Sequence, residues 1–545
     1  MNTIETYVKK IHSMLQGGGT VRISSFVDEH LAAQPLLHPL ATSKQIDVNV
    51  LCYVLPRLAP EVLKTQEIFY GLSDTVFTAH GLKVCTRAWK DSTPTEARHR
   101  KRRYNPAKKQ LAVYIGSLTD IEDSVTMLTA LFIEAQKLKA LCHDQGNELK
   151  KLISAADFRK LRKVLGERLP EFEKFITDPT DFELTLLAGT YLDFTKAVQG
   201  WWIDIAAASK AIGKEITKRP VYFVSSNAHS LINLLSGYPL KNGKRLRKMF
   251  AVFLKDNREA LKRDGVTQES ISFYLNRKLE EADRAYFDKK LKFEQRHGLY
   301  RLKPRRTLQV DAQIFDLAKA VANPYIDKRL GISTAEKHAL QHSRALILSI
   351  SYPLGLTAYG ILREISENVS DLRGVYIMGK SASLNASVGD IVLPSFVEDL
   401  HTGNEAYFYN ILKPNMLEPF LPKRSILADQ KAVTVRGTFL QNERQLKQSM
   451  AKGYSIVEME LGPYISRIYE LMNPSRYPIG ETFVIHPPFR LGVGYYISDT
   501  PHKKGLTLGY KGLGLESMDA TYALSLGILK DIIQTEYKNA KRAAG

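Results

Sequence analysis

From about residue 340 onward the chain is a series of short apolar runs, each closed by glycine or a small polar residue. Ala345–Ser349 (ALILS) leads into Ser351-Tyr352-Pro353-Leu354-Gly355 and a helical pattern to about Ile365. Gly374–Met378 (GVYIM) leads into Gly379-Lys380-Ser381-Ala382-Ser383-Leu384, and Gly389-Asp390-Ile391-Val392-Leu393-Pro394 follows. Val433–Val435 precedes Arg436-Gly437-Thr438, Gly494–Ile497 ends in Ser498-Asp499, and a last helix is expected from about Asp519 to Thr535. Short apolar runs between turn residues are strands buried on both faces. When they alternate with helices, the fold class that satisfies them is α/β with a mixed, largely parallel sheet. In such sheets ligands collect at the carboxyl ends of the strands, where these polar residues stand.

Ser455–Glu470 (SIVEMELGPYISRIYE) concentrates the question. An apolar strand, Ile456-Val457, runs into Glu458-Met459-Glu460, and Gly462-Pro463 then opens a helix. Two acidic residues at the mouth of a buried strand are costly unless something holds or uses them.

The rest of the chain reads differently. A length of 545 residues implies more than one core. Residues 1–300 are predicted to be an α-rich α/β region, with a subdivision near 150–217, followed by the second domain over 305–545. Strands are expected at Leu82–Trp89, Leu111–Ile115 and Val221–Val224, and a long helix over Ser124–Cys142. Ser225-Ser226-Asn227 suits a helix cap or an anion-binding turn. Trp201-Trp202 reads as core or an internal interface, and the charged stretch 255–300 as solvated helices. The net charge of +20 favours anionic partners without naming one. The basic run Arg98–Lys109 (RHRKRRYNPAKK) is either a phosphate-binding patch or a solvated loop, and it offers only Tyr104 for stacking. The three cysteines, Cys52, Cys85 and Cys142, have no metal-site spacing and suit a reducing compartment. With no signal-peptide pattern and no apolar run of bilayer-spanning length, the expectation is a cytoplasmic chain with no membrane contact and no metal or organic cofactor.

Four of the strand-end motifs, in order, resemble those of the purine nucleoside phosphorylase, uridine phosphorylase and nucleosidase superfamily. Ser351–Ala358 (SYPLGLTA) is similar to its glycine-containing strand-to-helix turn. Gly374–Pro394 is similar to its G-S-x-G-x then G-D-x-V segment, Ile456–Leu461 to its V-E-M-E motif, and Ile497-Ser498-Asp499 to the S-D pair of purine-cleaving members. The likeness covers about residues 340–540, and its texture is nearest to AMP nucleosidases, which also carry an extra N-terminal region. It implies a three-layer phosphorylase/hydrolase-like domain, a homo-oligomer, and cleavage of the N-ribosyl bond of a purine nucleoside or nucleotide.

That reaction needs a proton at the purine N7 and a grip on a ribose whose anomeric carbon becomes cationic. Asp499 is the candidate acid, since general acid catalysis gives about 10²–10⁴-fold. Phe483, Tyr495 and Tyr496 are expected to shield it, and Ser498 to bond the aspartate or the base. Glu460 is the candidate acceptor for the ribose diol, with Met459 as an apolar floor and Glu458 as a secondary ligand. The resemblance makes Gly379–Leu384 a turn that cradles phosphate or water, with Ser381 as its hydroxyl ligand and Gly355 in the neighbouring turn. Lys380 stands where a small Ser or Thr is usual, Ser383 where Gly is usual, and the run to Gly389-Asp390 is two residues short. Direct phosphate handling is therefore in doubt, and hydrolysis is favoured over phosphorolysis. Arg436, with Arg344, Lys503 and Lys504, is a further candidate phosphate ligand, and His486 and His502 flank the Asp499 region. Gly509–Gly514 follows no strand and is not read as a dinucleotide loop. The alternatives are a catalytically silent purine-nucleotide sensor coupled to the N-terminal region, and nucleic-acid binding through Arg98–Lys109.

Overall fold

The computed structural model describes residues 3–33, 38–92, 101–146, 148–263, 266–302, 308, 310–421, 423–438, 443–473, 479–500 and 515–544. Its strands form two sheets. The first contains β1 (Thr20–Arg22), β2 (Glu67–Gly71), β3 (Lys90–Asp91), β4 (Arg102–Asn105), β5 (Gln110–Tyr114) and β6 (Glu183–Leu186), in the order β1-β6-β2-β5-β4-β3. β2 runs parallel to β5 and β6. After β5 the chain enters a long helix, α1 (Leu118–Gln145), whose start is fixed by Asp120 Oδ2, which accepts from Gly116 N–H (2.7 Å) and Ser117 N–H (3.1 Å). Helix α2 (Tyr191–Ala211) follows β6 and carries Trp201 and Trp202 into the core.

The second sheet begins with β7 (Pro220–Ser226). Helix α3 (Ser230–Ser236) follows, and then a helical insertion that includes α4 (Gln268–Ala282). The remaining strands are β8 (Leu299–Leu302), β9 (Ala312–Asp316), β10 (Leu346–Ser351), β11 (Asp371–Ser383), β12 (Ile391–Asp399), β13 (Asn404–Phe408), β14 (Ile426–Thr434), β15 (Ile456–Glu458), β16 (Thr482–Ile485) and β17 (Arg490–Asp499). Their order is β16-β13-β12-β14-β15-β11-β7-β10-β9-β8, with β17 pairing both β11 and β12. Around the centre, β7, β10, β11 and β17 are parallel, whereas β9, β12 and β15 meet β10, β17 and β11 antiparallel. Helices α5 (Thr357–Asn368) and α6 (Leu461–Met472) cover one face with α2, and α3 and α7 (Met518–Ala544) cover the other. The result is the expected α/β architecture, with a mixed sheet between two helical layers.

The cores divide inside α2, between Ala197 and Val198. The sequence reading put the division at 300–305. β7 and β8 precede that point yet belong to the second sheet, because the charged helices between them are an insertion in the second domain. Those helices are not wholly solvated either. Lys290 and Glu294 are buried, and Lys290 donates to Asn233 Oδ1 (2.7 Å) while Arg301 pairs with Glu294 (2.8 Å). Leu82–Trp89 is a chain of turns, not a strand, closed by local bonds such as Val84 N–H to Leu82 O. Part of the basic run is strand β4, and its charges are used internally: Lys101 pairs with Asp74, and Arg103 with Asp91. Residues 98–100 of that run lie outside the described residues.

Candidate functional site

The carboxyl ends of the parallel strands β11 and β17 meet the short antiparallel strand β15. Ala382 on β11 is flanked by Val457 on β15 and by Asp499 on β17. Two inter-strand steps therefore separate the V-E-M-E segment from Asp499, roughly 10 Å of backbone. The carboxyl-bearing residues at this junction are all buried: Glu458, Glu460 and Asp499 are 3%, 9% and 7% exposed.

Glu458 and Glu460 differ sharply in what they touch. Glu458 Oε2 accepts from Glu460 N–H and Leu461 N–H at 2.8 Å and from the Tyr495 hydroxyl at 2.9 Å. Its Oε1 accepts from Thr434 Oγ1. Burial pushes the Glu458 carboxyl up, and Thr434, the two N–H groups and Tyr495 oppose that shift. Glu458 thus fastens β15, β14 and β17 to the first turn of α6 and satisfies two of the orphan donors of that helix. Glu460 is the residue preceding α6 and makes no side-chain cap. Its charge acts on the hydroxyls of Tyr352, Tyr464 and Tyr495, all pushed up first by burial. Tyr352 in turn meets Tyr496 hydroxyl to hydroxyl at 3.1 Å. This tyrosine wall stays neutral and retains its donors at any working pH.

On the Asp499 side, Ser498 Oγ donates to Asp499 Oδ2 (2.9 Å) and lies 3.3 Å from the Ser381 carbonyl oxygen. The Ser381 hydroxyl is buried and has no partner among the described residues. An unsatisfied buried hydroxyl costs about 1–3 kcal/mol. Met459 closes the far side in a small apolar cluster with Ala382, Val457 and Val433.

Several sequence expectations need correction. Gly379–Ser383 is strand, not turn, because β11 stays paired with β17 as far as Ala382 and with β15 at Ala382 and Ser383. Gly379 faces the Tyr495 ring, and a Cβ there would lie 2.5 Å from Tyr495 Cε1. Its role is to let that ring reach Glu458. Lys380 is exposed, on the strand face opposite Gly379 and Ser381. Arg436 donates to the carbonyls of Leu400 (3.2 Å) and His401 (3.3 Å), and Arg344 lies before β10, at the opposite end of the strand from the site. Phe483 is on the edge strand β16 against Tyr469 and does not shield Asp499. Asn227 caps α3, its Oδ1 accepting from His229 N–H (3.0 Å) and Ser230 N–H (2.7 Å). His486 is exposed beyond β16. His502, Lys503, Lys504 and Gly509–Gly514 lie outside the described residues. Sequence reasoning missed Thr434, Tyr352 and Tyr464. Thr434 had a signal, a lone hydroxyl at the end of an apolar strand next to Arg436-Gly437-Thr438.

Among the described residues no group of three His, Cys, Asp or Glu could hold a metal ion. None of their helices is long and apolar enough to cross a membrane.

Residues 23–534 match the family described as "Family of unknown function (DUF6909)". No curated protein matches the sequence. Among solved structures, a purine nucleoside phosphorylase from Toxoplasma gondii in complex with immucillin-H aligns over 60% of this chain and 94% of its own, at 10% identity and a TM-score of 0.30. A putative methylthioadenosine nucleosidase from Weissella paramesenteroides aligns over 35% of this chain and 81% of its own, at 15% identity and a TM-score of 0.24. A methylthioadenosine phosphorylase from Schistosoma mansoni in complex with tubercidin aligns over 36% and 83%, at 11% identity and a TM-score of 0.26. Scores and identities this low say nothing about activity.

Proposed function

Because the chain belongs to DUF6909, a family of unknown function, its activity must come from its own site, and we propose that it cleaves the N-ribosyl bond of a purine nucleoside or nucleotide. The observation that carries this is the pair Glu460 and Asp499. Both are buried: Asp499 is beside Ala382 on one side, and Glu460 lies three residues beyond Val457, the neighbour of Ala382 on the other, while the Ser381 hydroxyl on the strand between is unpartnered among the described residues. The spacing suits a ribosyl group, with its diol toward Glu460 and its base toward Asp499. In the step proposed, the C1′–N9 bond breaks and its electron pair leaves with the base. Asp499 gives a proton to N7, Glu460 accepts from the ribose hydroxyls, and the oxygen of a water molecule bonds to C1′ and loses a proton that returns to the Asp499 carboxylate. The tyrosine wall excludes bulk water, which strengthens both electrostatic contributions. Hydrolysis is favoured over phosphorolysis for two reasons. Arg436 is committed to backbone carbonyls, and Lys380 is exposed on the strand face opposite Ser381.

The test is chromatography of released base from AMP, adenosine, inosine, ATP and methylthioadenosine, with and without phosphate. Base released without phosphate is expected. No base from any substrate, with folded protein, overturns the proposal. Dependence on phosphate would make the enzyme a phosphorylase. A silent nucleotide sensor is a second reading, favoured by the direct contact of the N-terminal domain with the rim of the site, where Thr438 meets Asp123. Tight nucleotide binding without turnover, unchanged in output by Asp499→Asn, would select it.

A further inference from the structure

The N-terminal end of α1 and the residues just before it touch the rim of the candidate site at three places. Asp123, 1% exposed, takes two hydrogen bonds on Oδ2, from Thr438 N–H (3.2 Å) and Thr438 Oγ1 (3.0 Å). Thr357 Oγ1 donates to the Gly116 carbonyl at 2.7 Å. Gly355 lies in the left-handed region at φ +57°, and a Cβ there would come 2.7 Å from Thr119 Oγ1. Two rim segments are held in this way: the turn between β10 and α5, and the loop after β14.

Both segments lead to the candidate carboxylates. The first carries Tyr352, whose hydroxyl feels the charge of Glu460. The second follows Thr434, which donates to Glu458, and Val435 N–H donates to the Glu458 carbonyl (2.8 Å). Arg436 extends the grip to the carbonyls of Leu400 and His401. His401 Nδ1 pairs with Asp399 at 2.8 Å. Asp399 lies against the first turn of α6, where a Cβ on Gly462 would meet its Cβ and Cγ at 2.5 Å. The contacts thus run continuously from α1 to the helix start that presents Glu460. Asp123 is set in the second turn of a 28-residue helix, just after its capped start, a rigid mount.

We infer that the N-terminal end of α1 is a positioning element of this site, with Asp123 as its principal residue. The N-terminal domain completes the substrate-binding rim and is not an independent module. Asp123 touches no substrate; it acts through Thr438 and the loops beyond it. Only the choice of ligand in the test rests on the N-ribosyl reading.

The experiment uses the full-length chain and the variants Asp123→Ala, Asp123→Asn and Thr438→Val. Amide hydrogen exchange is followed in peptides spanning 352–358 and 434–438, and binding of adenosine and AMP is followed by calorimetry. In Asp123→Ala, exchange in both segments is expected to rise about tenfold or more while β2 and β5 stay protected, and nucleoside affinity to fall about tenfold. Asp123→Asn keeps an acceptor oxygen and should recover most of both. Thr438→Val keeps its N–H and should give an intermediate effect, a second measurement should Asp123→Ala not fold. Unchanged exchange in both segments of a folded variant overturns the inference. Faster exchange together with no nucleoside binding by the unaltered protein supports positioning and removes the N-ribosyl reading instead.

Discussion

Glu458 and Glu460 stand two residues apart and should respond oppositely to the same change. Glutamine at 458 keeps one oxygen for the three donors that now meet Oε2 and turns an NH₂ group toward Thr434. A hydrogen bond to a charged acceptor contributes about 1 kcal/mol more than a neutral one, so three weakened bonds amount to roughly 3 kcal/mol. Relief from burying a charge offsets part of this, leaving a net loss of about 2 kcal/mol. For a domain of this size, with an unfolding entropy of about 2.1 cal/mol/K per residue, that lowers the unfolding midpoint by roughly 3 °C. The measurement is thermal unfolding by intrinsic fluorescence, with hydrogen exchange in α6 to localise the loss, since two domains need not unfold as one. Base release by Glu458→Gln should stay within about tenfold of the unaltered protein. Glu460→Gln should keep the midpoint and lose about 10²-fold or more in rate. If Glu458→Gln loses activity while its midpoint and α6 protection stay unchanged, Glu458 acts on substrate and its assignment as a fastener is wrong.

Other outcomes follow from the same geometry. Asp499→Asn should lower base release about 10²–10⁴-fold at unchanged thermal midpoint, and a fully active variant would exclude Asp499 as the acid. Gly379→Ala would drive the Tyr495 ring off Glu458 at a cost of about 1–3 kcal/mol, seen as a lower midpoint and altered near-ultraviolet dichroism. Lys380→Ala, on an exposed side chain, should change neither stability nor the response to added phosphate, tested by parallel midpoints and rates. Burial, with His38 nearby, holds His30 down to about 3, and burial, with Arg277, Lys290 and Arg301 nearby, holds His229 down to about 3. Their native values lie below the unfolded one. The stability they contribute is therefore complete above pH 6.5 and falls as pH drops from there toward 3, by about 1.4 kcal/mol per pH unit for each. At pH 5 each should have removed about 2 kcal/mol, and His229→Gln should flatten the midpoint-versus-pH curve by about half.

The second sheet was legible because its strands advertise themselves: apolar runs such as ALILS and GVYIM can be satisfied only between two neighbours. The subdivision near 150–217 contains the observed division, but the main boundary falls at 300–305 in the sequence, because β7 stands before a charged insertion whose surface texture resembles a separate unit. Lys290 and Glu294 misled for the same reason, since a charge paired out of sight has the same letters as one in water. In the site, the V-E-M-E and S-D segments marked the right strand ends, but their division of labour was set by what faces them. Thr434 and Tyr495 bind Glu458 from β14 and β17, and no local pattern announces a contact made across 24 or 37 residues. The Gly379 segment was misjudged because glycine reads as a turn when it can equally make room for a ring on the next strand.

The central position of β7 has a consequence for synthesis of the chain. Its partners β10 and β11 begin at Leu346 and Asp371, so β7 leaves the ribosome about 120 residues ahead of the first of them. At roughly 5–20 residues per second, that is on the order of 10 s with Val221-Tyr222-Phe223-Val224 unpaired. During that interval the first sheet can already be complete, while the insertion emerges in the order that lets α3 and its charged neighbours shelter one side of the waiting strand. A ribosome stalled anywhere between Ser226 and Leu346 would hold out an apolar ribbon with both edges open, the form of nascent chain most in need of a chaperone.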